Sequence, residues 1–340
     1  MINIGKHRIS SLSYTFRGTI QHVRSYSKID LNELHTKQIP SHKRIRRDPI
    51  IDLPKHDTVE LSCRQYKPSK SFEADPNLEP IVMLHGFLGS KQNFGTVGNK
   101  ITKLTHHPAF GVDLRNHGDT PHASPHDYGH LAQDVIRFLS EKNWKDVILM
   151  GHSMGAKTAM MVALLRPDLV SKLIVIDNSP VSSELDDSFR QHLYGMCEVE
   201  HEFPEFKDYK PALQTSVIDN ILNQYTEKDQ KINFFLKSNI DKKHSNTRGS
   251  LFRVPVLNLI KENVIEKMGQ WPLEQVSGLK FTKPVLVMAA KHSNFVQPQY
   301  KPLFEEYFTD LTYHEFDCGH WIVTDKPDEF IKETVNFIDH

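Results

Sequence analysis

A chain of 340 residues has room for one of the larger α/β domains with some decoration. Its 42 lysines and arginines are matched by 42 aspartates and glutamates, a neutrality that leaves no electrostatic footprint for nucleic acid. The three cysteines, Cys63, Cys197 and Cys318, are odd in number and widely spaced, which argues against a disulfide framework and for a reducing compartment.

The N-terminus differs from the rest. Between Met1 and Ile29 stand Lys6, Arg8, Arg17, Arg24 and Lys28, with several Ser and Thr and no acid before Asp30. Ile4, Ile9, Leu12, Phe16, Ile20 and Val23 can share one face of a helix. This composition predicts a mitochondrial presequence, with the matrix as destination. Arg24-Ser25-Tyr26-Ser27 suggests a cut after Tyr26, so that residues 1–26 are removed. The competing reading is a basic tail on a cytosolic protein. No stretch is continuously apolar, which disfavours a secretory signal or a transmembrane segment. Residues 27–55 are polar, basic and then Pro-containing, a poorly ordered lead-in to a domain over 56–340.

Asp57 to Tyr66 is predicted to open a sheet. Pro80 to Ser90, P-I-V-M-L-H-G-F-L-G-S, reads as a buried strand ending in a glycine-bearing loop at His85–Gly89. Phe110 to Thr120 is a third strand that ends in a polar loop, where Asp113, Arg115 and His117 are read as loop-bracing groups. The histidines at 106, 107, 117, 122, 126 and 130 lack metal-ligand spacing, so no metal is assigned.

Residues 146–155, D-V-I-L-M-G-H-S-M-G, run from an apolar strand into a serine between glycines and then into A-K-T-A-M-M-V-A-L-L. Strand, tight turn and helix in that order form a nucleophile elbow, with Ser153 lifted above the sheet and Gly151 and Gly155 allowing close backbone approach. The Met154 N–H, at a helix N-terminus, is the predicted first oxyanion donor. The second is the Phe87 N–H, from the loop after the earlier strand.

A triad in this order needs an acid and then a histidine downstream. Leu173–Ile176 is a β-branched run that ends at Asp177-Asn178-Ser179-Pro180. The later run Pro284–Ala289 is followed by A-K-H-S-N-F-V, which holds no carboxylate. Asp177 is therefore the predicted acid. A last strand at Tyr313–Phe316 leads into Asp317-Cys318-Gly319-His320-Trp321 and a final helix from Pro327 to Ile338, which makes His320 the predicted base. The spacing His320-x-x-x-x-Asp325 is read as coincidence, and Cys318 as a small buried residue.

Between Val181 and about Gly278 the strand signals fade into charged, helix-like stretches, including Asp186–Cys197 and Ser216–Leu222. These elements predict an α/β-hydrolase fold. It has a mostly parallel central sheet flanked by helices, and a mainly helical lid at about 181–278, between strands six and seven. Phe234, Phe235, Leu236 and Trp271 either line the substrate pockets or form the lid's own core. No glycine-rich nucleotide loop occurs.

On these motifs the chain resembles the ethanol acetyltransferase family of yeasts, a mitochondrial branch of the α/β-hydrolase superfamily close to the abhydrolase-11 type. The resemblance rests on H-G-F-L-G-S-K-Q-N at His85–Asn93, D-L-R-N-H-G-D at Asp113–Asp119, G-H-S-M-G-A-K-T-A-M at Gly151–Met160 and D-N-S-P at Asp177–Pro180, and it spans most of residues 80–340. It implies a triad of Ser153, Asp177 and His320. It also implies transfer of acetyl from acetyl-CoA, as substrate and with no cofactor, to ethanol, with thioesterase and esterase side activities. The partners are then a small-molecule acyl donor and an alcohol or water. Relatives that are chiefly hydrolases carry the same motifs, so a mitochondrial serine hydrolase is the alternative. A catalytically silent hydrolase-fold binding protein is a third reading.

Overall fold

The computed structural model describes residues 57–241 and 250–340. All of them belong to the second of the two units into which the chain divides, Pro49–His340. The predicted presequence and the whole of the lead-in lie outside the described residues, and the targeting expectation rests on composition.

Seven strands form one sheet in the order β1-β3-β2-β4-β5-β6-β7. They are β1 (Cys63–Tyr66), β2 (Ile81–Leu84), β3 (Ala109–Val112), β4 (Val147–His152), β5 (Val170–Ile176), β6 (Phe281–Ala290) and β7 (Phe308–Phe316). All neighbours are parallel except the β1–β3 pair. Parallel strands covered on both faces must be apolar on both, which is why Ile81–Leu84 and Val147–Met150 read as unbroken hydrophobic runs. The pleat sorts them. Val82, Leu84, Leu149, Leu173 and Val175 face one core, and Ile81, Met83, Ile148, Met150, Ile174 and Ile176 face the other.

The first core is covered by α2 (Tyr128–Glu141) and α3 (Met154–Leu165), the second by α1 (Gly95–Thr105) and the terminal α12 (Pro327–Asp339). Helix α3 is buried along nearly its whole length, and its Ala156, Ala159 and Ala163 let it lie close to the sheet.

Between β5 and β6 come α4 (Asp187–Phe206), α5 (Pro211–Leu222), α6 (Gln230–Lys237), α7 (Val256–Lys261), α8 (Val264–Gly269) and α9 (Leu273–Val276). The helical lid thus separates the fifth and sixth of the seven strands found among the described residues. The expected place between strands six and seven is therefore corrected to five and six, because three strands precede the elbow strand and one follows it before the lid.

Two strand ends differ from the sequence reading. The first strand is shorter than Asp57–Tyr66 because upstream backbone donors go to side chains: the Val59 N–H to Asp134 (2.9 Å) and the Ser62 N–H to Thr120 (2.9 Å). The last strand is longer than Tyr313–Phe316 because it pairs with β6 from Phe281↔Phe308 onward. As an edge strand it exposes Thr309 and Asp310, so its first half carries no apolar run. Short helices α10 (Lys301–Tyr307) and α11 (Ile322–Asp325) flank it.

The chain passes from β2 outward to β3 and then returns to β4 on the other side of β2. The strand order therefore reverses between β2 and β4, and a crevice opens beyond their carboxyl ends. His85–Gly89 and Ser153 lie at those two ends.

Candidate active site

Strand β4 ends at His152 and α3 begins at Met154, which leaves Ser153 alone to make the turn, at φ 53°, ψ −115°. A β-carbon-bearing residue holds that conformation only when its surroundings enforce it. Here the Ser153 N–H is held by the Ile176 carbonyl at 2.9 Å, and its own carbonyl accepts from the Asn178 side chain at 3.0 Å and from the first turn of α3. The flanking glycines are steric necessities. A β-carbon on Gly151 would lie 2.1 Å from the Gly155 carbonyl oxygen, and one on Gly155 would lie 2.3 Å from that of Leu84.

Asp177 leaves β5 at φ 48° and is fully buried. Its Oδ1 accepts the Ala290 N–H at 3.0 Å, at the end of β6, and its Oδ2 faces the His320 Nδ1 at 2.7 Å. A carboxylate on Nδ1 holds the proton there and leaves Nε2 free to accept one. The structure thus brings together two predicted site residues that are 143 positions apart in sequence. Two further groups fix the imidazole. The Phe295 ring stacks on it at 4.3 Å between centroids, and His152 Nε2 donates to the His320 carbonyl at 2.9 Å. Burial, and then the nearby His320, push His152 down to about 4, so it acts as a neutral donor.

The Phe87 N–H belongs to the same peptide unit as the Gly86 carbonyl. That oxygen accepts from His85 Nδ1 at 2.8 Å and from the Gly89 N–H at 2.9 Å. In a trans peptide the N–H points opposite to the C=O, so these two bonds aim the Phe87 N–H away from His85 and Gly89. The Leu114 N–H donates to His85 Nε2 at 3.0 Å, which places the His85 proton on Nδ1. Burial keeps this ring neutral. At Leu88, which sits at φ 58°, the N–H goes to His117 Nε2 (3.1 Å) and the carbonyl receives the Asn239 amide of the lid (2.9 Å). Phe87, Met154 and Ser153 all line one crevice, with Tyr128, Asn178, Leu185, Phe189, Met268 and Phe295.

The polar residues of the third loop brace it. Lys91 is paired with Asp113 and, at 2.7 Å, with Asp119. Arg115 grips Asp134 through two bonds of 2.6 and 2.8 Å with both side chains buried. Asp325 is paired with Lys231 of the lid at 3.3 Å. Burial raises the Cys318 thiol to about 11, far from thiolate chemistry. Among the described residues, no group of three or more His, Cys, Asp or Glu side chains is placed to hold a metal, and no helix is long and apolar enough to cross a membrane.

The four aromatic and aliphatic residues singled out in the lid do not line the crevice. Leu236 and Trp271 are buried in the core shared with the sheet, Trp271 edge-on to Tyr307 at 5.6 Å, Phe235 packs on Trp321 at 4.7 Å, and Phe234 is 76% exposed. Leu185, Phe189 and Met268 take that place. His85, His152, Asn178, Asn239 and Phe295 were not anticipated in their roles. His85, His152 and Asn178 carried some signal, by lying inside the loop, elbow and D-N-S-P motifs.

Lys157, one turn beyond Ser153, is buried without a carboxylate. Its Nζ donates to the carbonyls of Gly269 (3.0 Å) and Gln270 (3.1 Å) and sits 5.4 Å over the Tyr128 ring. Burial pushes it down to about 7 from an ordinary 10.5. Between those values the unfolded chain holds a proton that the folded one lacks, so raising the pH favours the fold. Lys157→Met removes this contribution. The gap in melting temperature between wild type and variant is expected to shift in favour of wild type from pH 7 to about pH 10, and a constant gap would show that the group stays charged.

Comparison with known proteins agrees with this architecture. The family model described as "alpha/beta hydrolase fold" matches residues 79–327. The chain belongs to the α/β-hydrolase family and is an enzyme of that superfamily. Within it, the chain is 31% identical over 303 residues to ethanol acetyltransferase 1 of Cyberlindnera fabianii, covering 85% of this chain and 89% of that protein. It is 32% identical over 305 residues to ethanol acetyltransferase 1 of Wickerhamomyces anomalus, covering 85% and 76%. Among solved structures it is similar to a marine microorganism esterase, with a TM-score of 0.68, 26% identity, and cover of 82% of this chain and all of that one.

Proposed function

We propose that the enzyme transfers acetyl from acetyl-CoA to ethanol through an acyl-serine on Ser153, with His320 as base, Asp177 as its orienting acid, and the Phe87 and Met154 N–H groups as oxyanion donors. The observation that carries this reading is the buried Asp177 carboxylate 2.7 Å from His320 Nδ1, beside a serine held in an elbow turn. The naming of its relatives as ethanol acetyltransferases supports acetyl as the group transferred and ethanol as its acceptor.

In this mechanism His320 Nε2 takes the Ser153 hydroxyl proton as the oxygen attacks the thioester carbonyl. The tetrahedral oxyanion is held by two N–H donors, and the CoA sulfur leaves with the proton from His320. Ethanol then gives its proton to His320 and attacks the acyl-serine, ethyl acetate leaves, and the proton returns to Ser153. Water in place of ethanol yields acetate. Phe295, stacked on the base, offers an apolar wall to the acceptor's alkyl group. Burial of each CH2 is worth about 0.8 kcal/mol, so the two carbons of ethanol gain somewhat more than tenfold over water per molecule. Bulk water is far more concentrated, so transfer depends on a high ethanol concentration.

The similarity to an esterase favours a second reading, a serine hydrolase with little alcohol transfer. Incubation of the purified enzyme with acetyl-CoA and rising ethanol separates the two. Ethyl acetate is expected to grow at the expense of acetate. Acetate alone at every ethanol concentration would leave the hydrolase.

A further inference from the structure

We infer that Met268, delivered by the lid and clasped to the core by Tyr128 and Lys157, is the end wall of the acyl pocket and limits the enzyme to short acyl chains. The inference rests on the acyl-Ser153 reading and adds to it the residues that set the chain length.

Helix α8 ends at Gly269, and the last carbonyls of a helix have no intrahelical partner. The last two, and the carbonyl of Gln270 that follows, are taken by core side chains. The Tyr128 hydroxyl donates to the Met268 carbonyl at 2.9 Å, and Lys157 Nζ to those of Gly269 and Gln270 at 3.0 and 3.1 Å. The Ser183 N–H also donates to the Gly269 carbonyl at 3.0 Å, and a β-carbon on Gly269 would come within 2.4 Å of the Ser183 oxygen. The end of α8 is thereby held in register with α3, the helix that starts from Ser153. Met268, almost fully buried, lines the crevice with Leu185, Phe189 and Tyr128.

Phe295 stacks on the base, where a leaving group or acceptor must be protonated or deprotonated, and Phe189 packs edge-on against it at 6.2 Å between ring centroids. The inference assigns the acyl chain to the part of the crevice that Met268 lines. The crevice that Met268 shares with Ser153 is narrow, walled by Tyr128, Leu185, Phe189 and Met268. An unbranched thioether wall, fixed through its backbone and not through its side chain, stops the chain after a few carbons.

The test is the hydrolysis of p-nitrophenyl acetate, butyrate and hexanoate by wild type, Met268→Ala and Lys157→Met. It is run beside a second series, ethyl, butyl and hexyl acetate. One methylene against an apolar wall commonly changes kcat/KM by about tenfold or more. Met268→Ala is expected to raise the hexanoate-to-acetate ratio of kcat/KM on the order of tenfold. Lys157→Met, which removes one bond to the Gly269 carbonyl and frees that of Gln270, loosens the wall and is expected to raise it several-fold. Each ratio is taken within one preparation, so a loss of folded protein cancels. A change confined to the alcohol series would put Met268 on the acceptor side and overturn the inference, as would unchanged ratios in both series. Ester hydrolysis that survives Ser153→Ala would instead remove the acyl-Ser153 reading, whatever the chain-length profile.

Discussion

Ser153→Ala is expected to abolish ester hydrolysis, thioester hydrolysis and ethyl acetate formation together, on the order of a millionfold in turnover. It should also abolish labelling by a fluorophosphonate, which needs an activated serine. The substitution removes one oxygen and leaves the backbone bonds to Ile176 and Asn178 that hold the turn. The alanine accepts the same positive φ at no greater cost than the serine, so the variant should fold. Retention of transfer with loss of hydrolysis would refute a shared acyl-enzyme. A wild-type serine that fails to label would turn attention to the silent-fold reading.

Asp177→Asn is expected to lower turnover by roughly 10⁴ with little change in fold, as loss of an orienting carboxylate does in a serine triad. The present geometry supplies the reason. The amide oxygen can keep the bond that Ala290 N–H makes to Oδ1, which turns the amide nitrogen toward His320. A donor there requires an unprotonated Nδ1, and the proton moves to Nε2, where it blocks acceptance from Ser153. The pH profile of turnover for the variant, taken with pre-steady-state acylation, checks this. A loss below tenfold would place the acid elsewhere. The following strand end offers no replacement, since residues 290–296 hold no carboxylate.

These two variants probe residues whose sequence signals differ in kind. Ser153 is marked by its neighbours, because a strained strand-to-helix turn needs Gly151 and Gly155 within two positions and an apolar strand before it. Asp177 and His320 are marked only by lying at the ends of strands. Their pairing depends on β5, β6 and β7 stacking side by side, which sets the ends of distant segments within hydrogen-bonding reach.

The amino-acid sequence alone determined the order of the strands, the mostly parallel sheet, the elbow and the stretch of chain that forms the lid. Each of these follows from periodicity or from steric demands among residues close along the chain. Tertiary structure alone decided the rest. It took the crevice wall away from Phe234, Phe235, Leu236 and Trp271 and gave it to Leu185, Phe189 and Met268, because an amphipathic lid helix can turn its apolar face to its own core or to a substrate with the same pattern. It enlisted His152 and His85 to steer a carbonyl and a peptide plane, and Asn239 to tie the lid to the loop after β2. Such bonds join residues up to 168 positions apart. Hydrogen bonding is decided by distance in space, and no local pattern in the sequence encodes it.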